Sequence, residues 1–317
     1  MFKEKLLSVC KLSSPEESNI TRGSFCHQLF LSYDDFSSKE NNRKYKFCLF
    51  KKHVRVLANT LKVALLNILS IRNKVTYVVE TLNELDLDIL CLTETWLLST
   101  DLGVVQAALQ GSYSVFHVPR LTGAGGGVAI IHSTALAVRQ EEIALQFTAC
   151  EIIRAKLTSH SETVQLIVVY CPGHPGTDRT FLEEFSSFLD SLLDVGGKII
   201  ICGDFNYWVD NPLSKPYSSE FLELLDINNF HNYISSPTHM LGHTLDLVLS
   251  PVGMDCVVDV EVMPIDSLIS DHALITFGLQ MARPKAVKKS ITFRNYRNVG
   301  QESISSETES HLTVTDI

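Results

Sequence analysis

The sequence predicts an α/β fold: a four-layer sandwich in which two central mixed β-sheets are flanked by helices on their outer faces. Three observations carry this prediction. Runs of apolar, often β-branched residues recur, such as Lys198-Ile199-Ile200-Ile201-Cys202, and read as strands buried on both faces. Segments with apolar residues at helical spacing stand between some of these runs, so that strand, helix and strand follow as in a parallel pair with a crossover helix. Between residues 113 and 170 helices give way to strands joined by turns, the texture of antiparallel pairing. Each sheet and each helix must bury a face, and layers satisfy both.

Residues 1–58 show no sustained periodicity, and a poorly ordered N-terminal extension is expected there. A domain over residues 59–280 follows. Leu61 to Ile68 is a strand carrying Asn67 near its end. In residues 73–85, Val75, Val78, Val79, Leu82 and Leu85 are spaced as on a helix. Asp88 to Trp96 is a second buried strand with Glu94 at its end. Tyr113 to Val118 is a strand, and Gly127 to Ile131 returns after a glycine-rich turn. No helix follows these glycines and no Lys-Ser/Thr pair completes a P-loop, so a hairpin turn is preferred to a phosphate cradle. Ala149 to Leu157 and Val164 to Tyr170 continue the antiparallel run. Phe181, Leu182, Phe185, Phe188, Leu189 and Leu192 form one apolar helical face. That helix leads into the strand at Lys198, which is closed by Gly203, Asp204 and Asn206. Phe221 to Leu225 is a short helix. Leu245 to Leu249, Cys256 to Met263 and Ala273 to Leu279 are strands. Residues 281–317 are expected to be a basic connector and a disordered Ser/Glu/Thr-rich tail.

The 317 residues are 45% hydrophobic and 20% charged, enough to bury a core without a disulfide or structural metal. The eight cysteines include no C-x-x-C pair, which argues against a zinc site or a disulfide framework and fits a reducing compartment. The first apolar run is too short for a secretory signal, and no window reaches the length of a membrane span. A net charge of −9 argues against tight nonspecific DNA binding, although carboxylates gathered around a metal would contribute to it.

The polar residues stand where strands end. Asn67, Glu94, Tyr170, and Asp204 with Asn206 close four strands; Asp246 lies within another; Asp271 and His272 precede the last. Taken alone, Asp204 and Asn206 read equally well as an Asx-type turn. Repetition at six strand ends points instead to chemistry held on a rigid frame. An oxygen-rich set of this kind suits Mg²⁺, which takes one or two carboxylates plus water and substrate phosphate. Phosphodiester hydrolysis needs a cation, an in-line water, and donors to the phosphoryl oxygens.

In order and spacing, Asn67, Thr93-Glu94-Thr95, Tyr170, Gly203-Asp204-Phe205-Asn206, Asp246 and Ser270-Asp271-His272 resemble the endonuclease/exonuclease/phosphatase family, metal-dependent phosphoesterases of DNase I-like fold. The resemblance covers residues 61–280. Leu66-Asn67-Ile68-Leu69-Ser70-Ile71-Arg72-Asn73-Lys74, Leu90-Cys91-Leu92-Thr93-Glu94-Thr95-Trp96-Leu97, and Ser236-Pro237-Thr238-His239 through Gly242-His243-Thr244-Leu245-Asp246-Leu247 look more narrowly like the apurinic-type endonuclease domain of non-LTR (LINE-type) retrotransposons, as does the segment Ile291 to Arg297. Leu69 stands where base-repair apurinic endonucleases tend to carry Asp, which favours the retrotransposon type. No reverse transcriptase follows within these residues.

The resemblance implies a Mg²⁺-dependent, DNA-nicking endonuclease, with Mn²⁺ as the alternative ion. By it, Glu94 is the main metal ligand, Asn67 lies beside it, and Asp271 reaches that metal or a second. Asp204 orients or deprotonates the attacking water and Asn206 holds a phosphate oxygen. His272 stabilises the phosphoryl oxygens, with Asp246 on its other ring nitrogen. Tyr170 assists at the phosphate or leaving group. Thr238, His239 and His243 form a loop that touches DNA. Trp96 is expected in the core. DNA is the implied partner, with no membrane partner; the implied location is nuclear, with the cytoplasm as alternative. Two other readings stand beside this one: a phosphatase or phosphodiesterase of the same fold for a small or lipid phosphoester, and a catalytically silent, truncated remnant of a mobile element.

Overall fold

The structure is a computed structural model that describes residues 60–282, except for 99, 121–122, 160–161, 174–175 and 193–194. The N-terminal extension and nearly all of the C-terminal connector and tail lie outside the described residues. The elements run β1 (Thr60–Asn67), α1 (Val75–Glu84), β2 (Ile89–Thr93), α2 (Leu102–Ala108), β3 (Tyr113–Val118), β4 (Val128–Ser133), β5 (Ala137–Glu141), β6 (Glu151–Ser159), β7 (Glu162–Tyr170), α3 (Asp178–Leu192), β8 (Lys198–Asp204), α4 (Ser218–Ile227), β9 (Phe230–Asn232), β10 (Asp246–Pro251), β11 (Val257–Val262) and β12 (Ile275–Gln280).

They build two six-stranded mixed sheets, ordered β11-β12-β1-β2-β4-β3 and β5-β6-β7-β8-β10-β9. Each sheet has one parallel pair at its centre, β1–β2 and β7–β8, and antiparallel pairs outward from it. The helix between each parallel pair is a crossover: α1 in one sheet, as the sequence predicts, and α3 in the other.

Side-chain alternation assigns the layers. Leu61, Val63 and Leu65 of β1 join Val164, Leu166 and Val168 of β7, and Ile200 and Cys202 of β8, in one core between the sheets. The intervening Ala64 and Leu66 instead pack with Val78, Leu82 and Val105 of α1 and α2. On the other side, Ile167, Val169, Ile199 and Ile201 pack against Phe181, Phe185 and Phe188 of α3 and Phe221 of α4. The order is therefore helices, sheet, sheet, helices, which is the predicted four-layer sandwich.

The five cysteines among the described residues are buried and unpaired, as small core residues. No described helix is long and apolar enough to cross a membrane.

Candidate active site

The alternation that builds the inter-sheet core also aims the polar residues. Asn67 continues the parity of Leu61, Val63 and Leu65; Tyr170 that of Leu166 and Val168; Asp204 that of Ile200 and Cys202; and Asp246 that of Val248. All four side chains thus point between the sheets. They also share one end of the sandwich. Parallel partners finish together, Asn67 opposite Thr93 and Tyr170 opposite Asp204. The antiparallel β10 begins where β8 stops, so Asp246 pairs with Asp204. Likewise β12 begins beside the end of β1, and His272 lies just before it. Pairing rules alone therefore gather residues spread from position 67 to 272.

Asp204 is fully buried. Its Oδ2 accepts from Asn67 Nδ2 at 2.9 Å and lies 3.9 Å from His272 Nε2, and its Oδ1 accepts from the Asn206 backbone N–H at 3.0 Å. The ring of His272 is gripped from behind, with Nδ1 2.7 Å from Asp246 Oδ2. Glu94 Oε1 accepts from the Tyr170 hydroxyl at 2.6 Å and from Asn67 Nδ2 at 3.4 Å. Asp271 Oδ1 lies 4.0 Å from His272 Nε2. Ser270 pins this loop to β1 by donating to the Asn67 carbonyl at 2.6 Å.

Burial pushes the Asp204 carboxyl up, and Asp246 adds to the push; His272 and the donors Asn67 and Asn206 hold it to about 7. Burial would lower His272, but Asp246, Asp204 and Asp271 outweigh it and raise it to about 10, so the ring is an imidazolium at neutral pH. Burial and then Glu94 push Tyr170 far above its ordinary range, and it stays a phenol.

The donor set fits a hard divalent cation. Three carboxylates, Asp204, Asp246 and Asp271, face one imidazolium, Glu94 joins them through Asn67, and Asp246 Oδ1 is buried without a partner. Glu94 and Asp271 are the carboxylates left partly open to solvent. His239, Asp271 and His272 also lie close enough to share an ion, as do Asp204, Asp246 and His272.

The expectations for Thr238 and Trp96 need correction, and the other side chains are placed as follows. Asn67 turns its amide nitrogen toward the carboxylates, while its oxygen accepts from the Leu69 backbone at 3.1 Å. In this arrangement it orients Asp204 and Glu94, and it would have to turn its oxygen inward to act as a ligand. Both amide hydrogens of Asn206 are used within the protein, on the Cys171 carbonyl at 2.9 Å and on Asp204 at 3.3 Å. Thr238 does not face a substrate: it is fully buried, and its hydroxyl accepts from the Leu245 and Asp246 backbones, both at 3.0 Å. Trp96 is not core but 39% exposed. His239 does reach the site, 3.3 Å from Asp271 Oδ2 and edge-on to the His272 ring. His243 stacks on Trp208 at 3.6 Å between ring centres, beside Asp210.

Three cations that frame the site went unread in the sequence. Lys74 donates to the Ile68 and Leu69 carbonyls, both at 2.7 Å, and so braces the left-handed turn after Asn67. Arg120 pairs with Glu151 at 2.6 Å and lies over the Tyr170 ring. Lys215 donates to the Asn206 carbonyl. Each is a basic residue in a loop, with no spacing signal to mark it.

The fold is shared with several solved structures. The endonuclease domain of TRAS1, a telomere-specific non-LTR retrotransposon, aligns with a TM-score of 0.56 at 16% identity, over 70% of this chain and 99% of that domain. An AP endonuclease from Archaeoglobus fulgidus aligns with 0.57 at 20%, over 70% and 100%. The 3′ phosphatase NExo from Neisseria, bound to product DNA hairpin, aligns with 0.58 at 20%, over 69% and 99%. No curated protein sequence matches the chain. The profile of the Endonuclease/Exonuclease/phosphatase family matches residues 64–272, the span from β1 to the loop that carries His272, and the chain belongs to that family.

Proposed function

We propose that the chain is a divalent-metal-dependent endonuclease that nicks DNA and leaves a 3′ hydroxyl, of the type carried by non-LTR retrotransposons. The observation that carries the reading is the close approach of the buried Asp204 carboxylate to the His272 imidazolium, backed by Asp246, beside the open carboxylate of Glu94. Asp204 accepts the proton of the attacking water, and a pKa near 7 suits a base working at neutral pH. His272 donates from Nε2 to a phosphoryl oxygen, with its charge and tautomer held by Asp246. Asn67 and Asn206 keep Asp204 aimed. A P–O bond forms to the water oxygen, the P–O3′ bond breaks, and the departing oxygen takes a proton from solvent to end as the 3′ hydroxyl.

Glu94 and Asp271, with Asn67 if its amide turns, would hold Mg²⁺ or Mn²⁺. A bound ion would neutralise charge on the phosphoryl oxygens. DNA as substrate draws support from the sequence segments that resemble retrotransposon endonucleases and from the DNA-processing enzymes among the similar folds. A DNA target would give the protein a nuclear site of action.

The test is nicking of supercoiled plasmid in Mg²⁺ by the wild type, Asp204→Ala and His272→Ala. Relaxed circles from the wild type alone are expected. Hydrolysis of an inositol phosphate or sphingomyelin without nicking would replace DNA by a small or lipid phosphoester. DNA binding without cleavage by folded wild type would mark a silent remnant.

A further inference from the structure

Trp96 gives up burial at the edge of the site. The residue is 39% exposed and so forgoes part of the burial that a large aromatic side chain usually gains. The backbone around it is also strained. Glu94 and Trp96 both take left-handed φ values, 49° and 54°, on either side of the buried Thr95. Five contacts hold this turn: Thr95 N–H to the Gly127 carbonyl at 3.2 Å, Trp96 N–H to the Gly126 carbonyl at 2.8 Å, Ser70 N–H to the Glu94 carbonyl at 2.8 Å, Ile71 N–H to the Thr95 carbonyl at 3.0 Å, and the Thr95 hydroxyl against His117 Nε2 at 2.9 Å.

What this turn achieves is one hydrogen bond: the indole Nε1–H donates to Glu94 Oε2 at 3.0 Å. The other oxygen, Oε1, already accepts from Tyr170 and Asn67. A carboxylate held at one oxygen can still pivot; held at both, its plane is fixed. Its two oxygens offer about four lone-pair directions, and three donors leave one open.

We propose that Trp96 is a positioning residue of the metal site, whose indole N–H locks the Glu94 carboxylate in the orientation that meets a divalent cation. The inference rests on the reading of Glu94 as a metal ligand. Losing an outer hydrogen-bond partner of a ligand typically costs about 10–100-fold in metal affinity. Trp96→Phe keeps a ring and removes the donor.

Mn²⁺ binding to the full chain without DNA, followed by calorimetry or electron paramagnetic resonance, should weaken about tenfold or more in Trp96→Phe. Nicking should need more metal in the same variant, its dependence on Mn²⁺ concentration shifting by a similar factor. A second measurement needs no variant of Trp96. The chain has two tryptophans, hence two indole N–H resonances, and Trp208→Phe leaves only that of Trp96. That resonance should move as Mg²⁺ is added. Unchanged Mn²⁺ affinity in Trp96→Phe, or a stationary resonance in a protein that binds the ion, overturns the proposal and leaves the nuclease reading intact. A wild type that binds no divalent cation overturns both.

Discussion

His272 keeps its proton well past the pH at which a free imidazole releases it, and this ties the folded state to pH. Its pKa rises from 6.5 to about 10 because three carboxylates outweigh the cost of burial. A raised folded pKa contributes stability that is complete below the unfolded value of about 6.5 and is lost as pH rises through about 10. Between pH 7 and 9 the folded state holds a proton that the unfolded chain mostly lacks. Stability of the metal-free protein should therefore fall by up to about 1.4 kcal/mol per pH unit from this group. Urea midpoints in EDTA at pH 7, 8 and 9 check this: the wild type should lose stability steadily, and His272→Gln should lose most of that slope. A wild-type slope equal to that of His272→Gln would show that the ring is not held as an imidazolium.

At the scale of elements, the position that admits least change is Gly203, one residue before Asp204. It pairs with Val169 in the parallel ladder, and a Cβ there would stand 1.8 Å from the Val169 carbonyl oxygen. Backbone cannot step aside as a side-chain tip can, so Gly203→Ala must part β7 from β8, at about 3 kcal/mol or more. Gly242→Ala is the counterpart: it meets nothing within 4 Å and suffers only its left-handed φ of 86°, about 1–2 kcal/mol. Thermal melts should rank them so, Gly203→Ala falling by about 6–12 °C or failing to fold; equal melting points would refute the packing argument. Such a position was legible as a glycine ending an apolar strand. Strands such as β7 and β8, and the long helix α3, were legible too, because burial on both faces or along one stripe leaves a strong pattern. The short α2, with one buried residue and Gly103 within it, leaves none. The edge strand β5 exposes most of its length, and β9 has three residues. Of the site, the strand ends could be read but not the turns after them. Nothing in Thr93-Glu94-Thr95-Trp96 tells that two left-handed residues swing the indole outward, and nothing in Ser236-Pro237-Thr238 tells that the threonine turns inward to hold two backbone amides.

At the scale of the whole molecule, the site is a seam. Asn67, Glu94, Asp271 and His272 come from the first sheet and its loops; Tyr170, Asp204 and Asp246 come from the second. Across that seam the hydrogen bonds from Asn67 to Asp204 and from Tyr170 to Glu94 join the sheets, and so does the ion pair of His272 with Asp246. The same seam gathers four carboxylates, three of them against the His272 imidazolium and Glu94 beside Asn67, and so concentrates acidic groups in one place. A divalent cation held there would bind the folded protein and not the unfolded chain, whose ligands are scattered. Ligand at ten times its Kd then adds about 1.4 kcal/mol of stability, which for a domain of this size is roughly 3–6 °C in Tm. Melting curves with rising Mg²⁺ against EDTA should show that increase in the wild type. Glu94→Gln, which keeps the shape but halves the charge offered to the ion, should flatten it. A wild-type Tm indifferent to Mg²⁺ would mean that these carboxylates are neutralised by the protein itself, by protonation or by His272, and that the seam is closed by its own hydrogen bonds rather than by a cation.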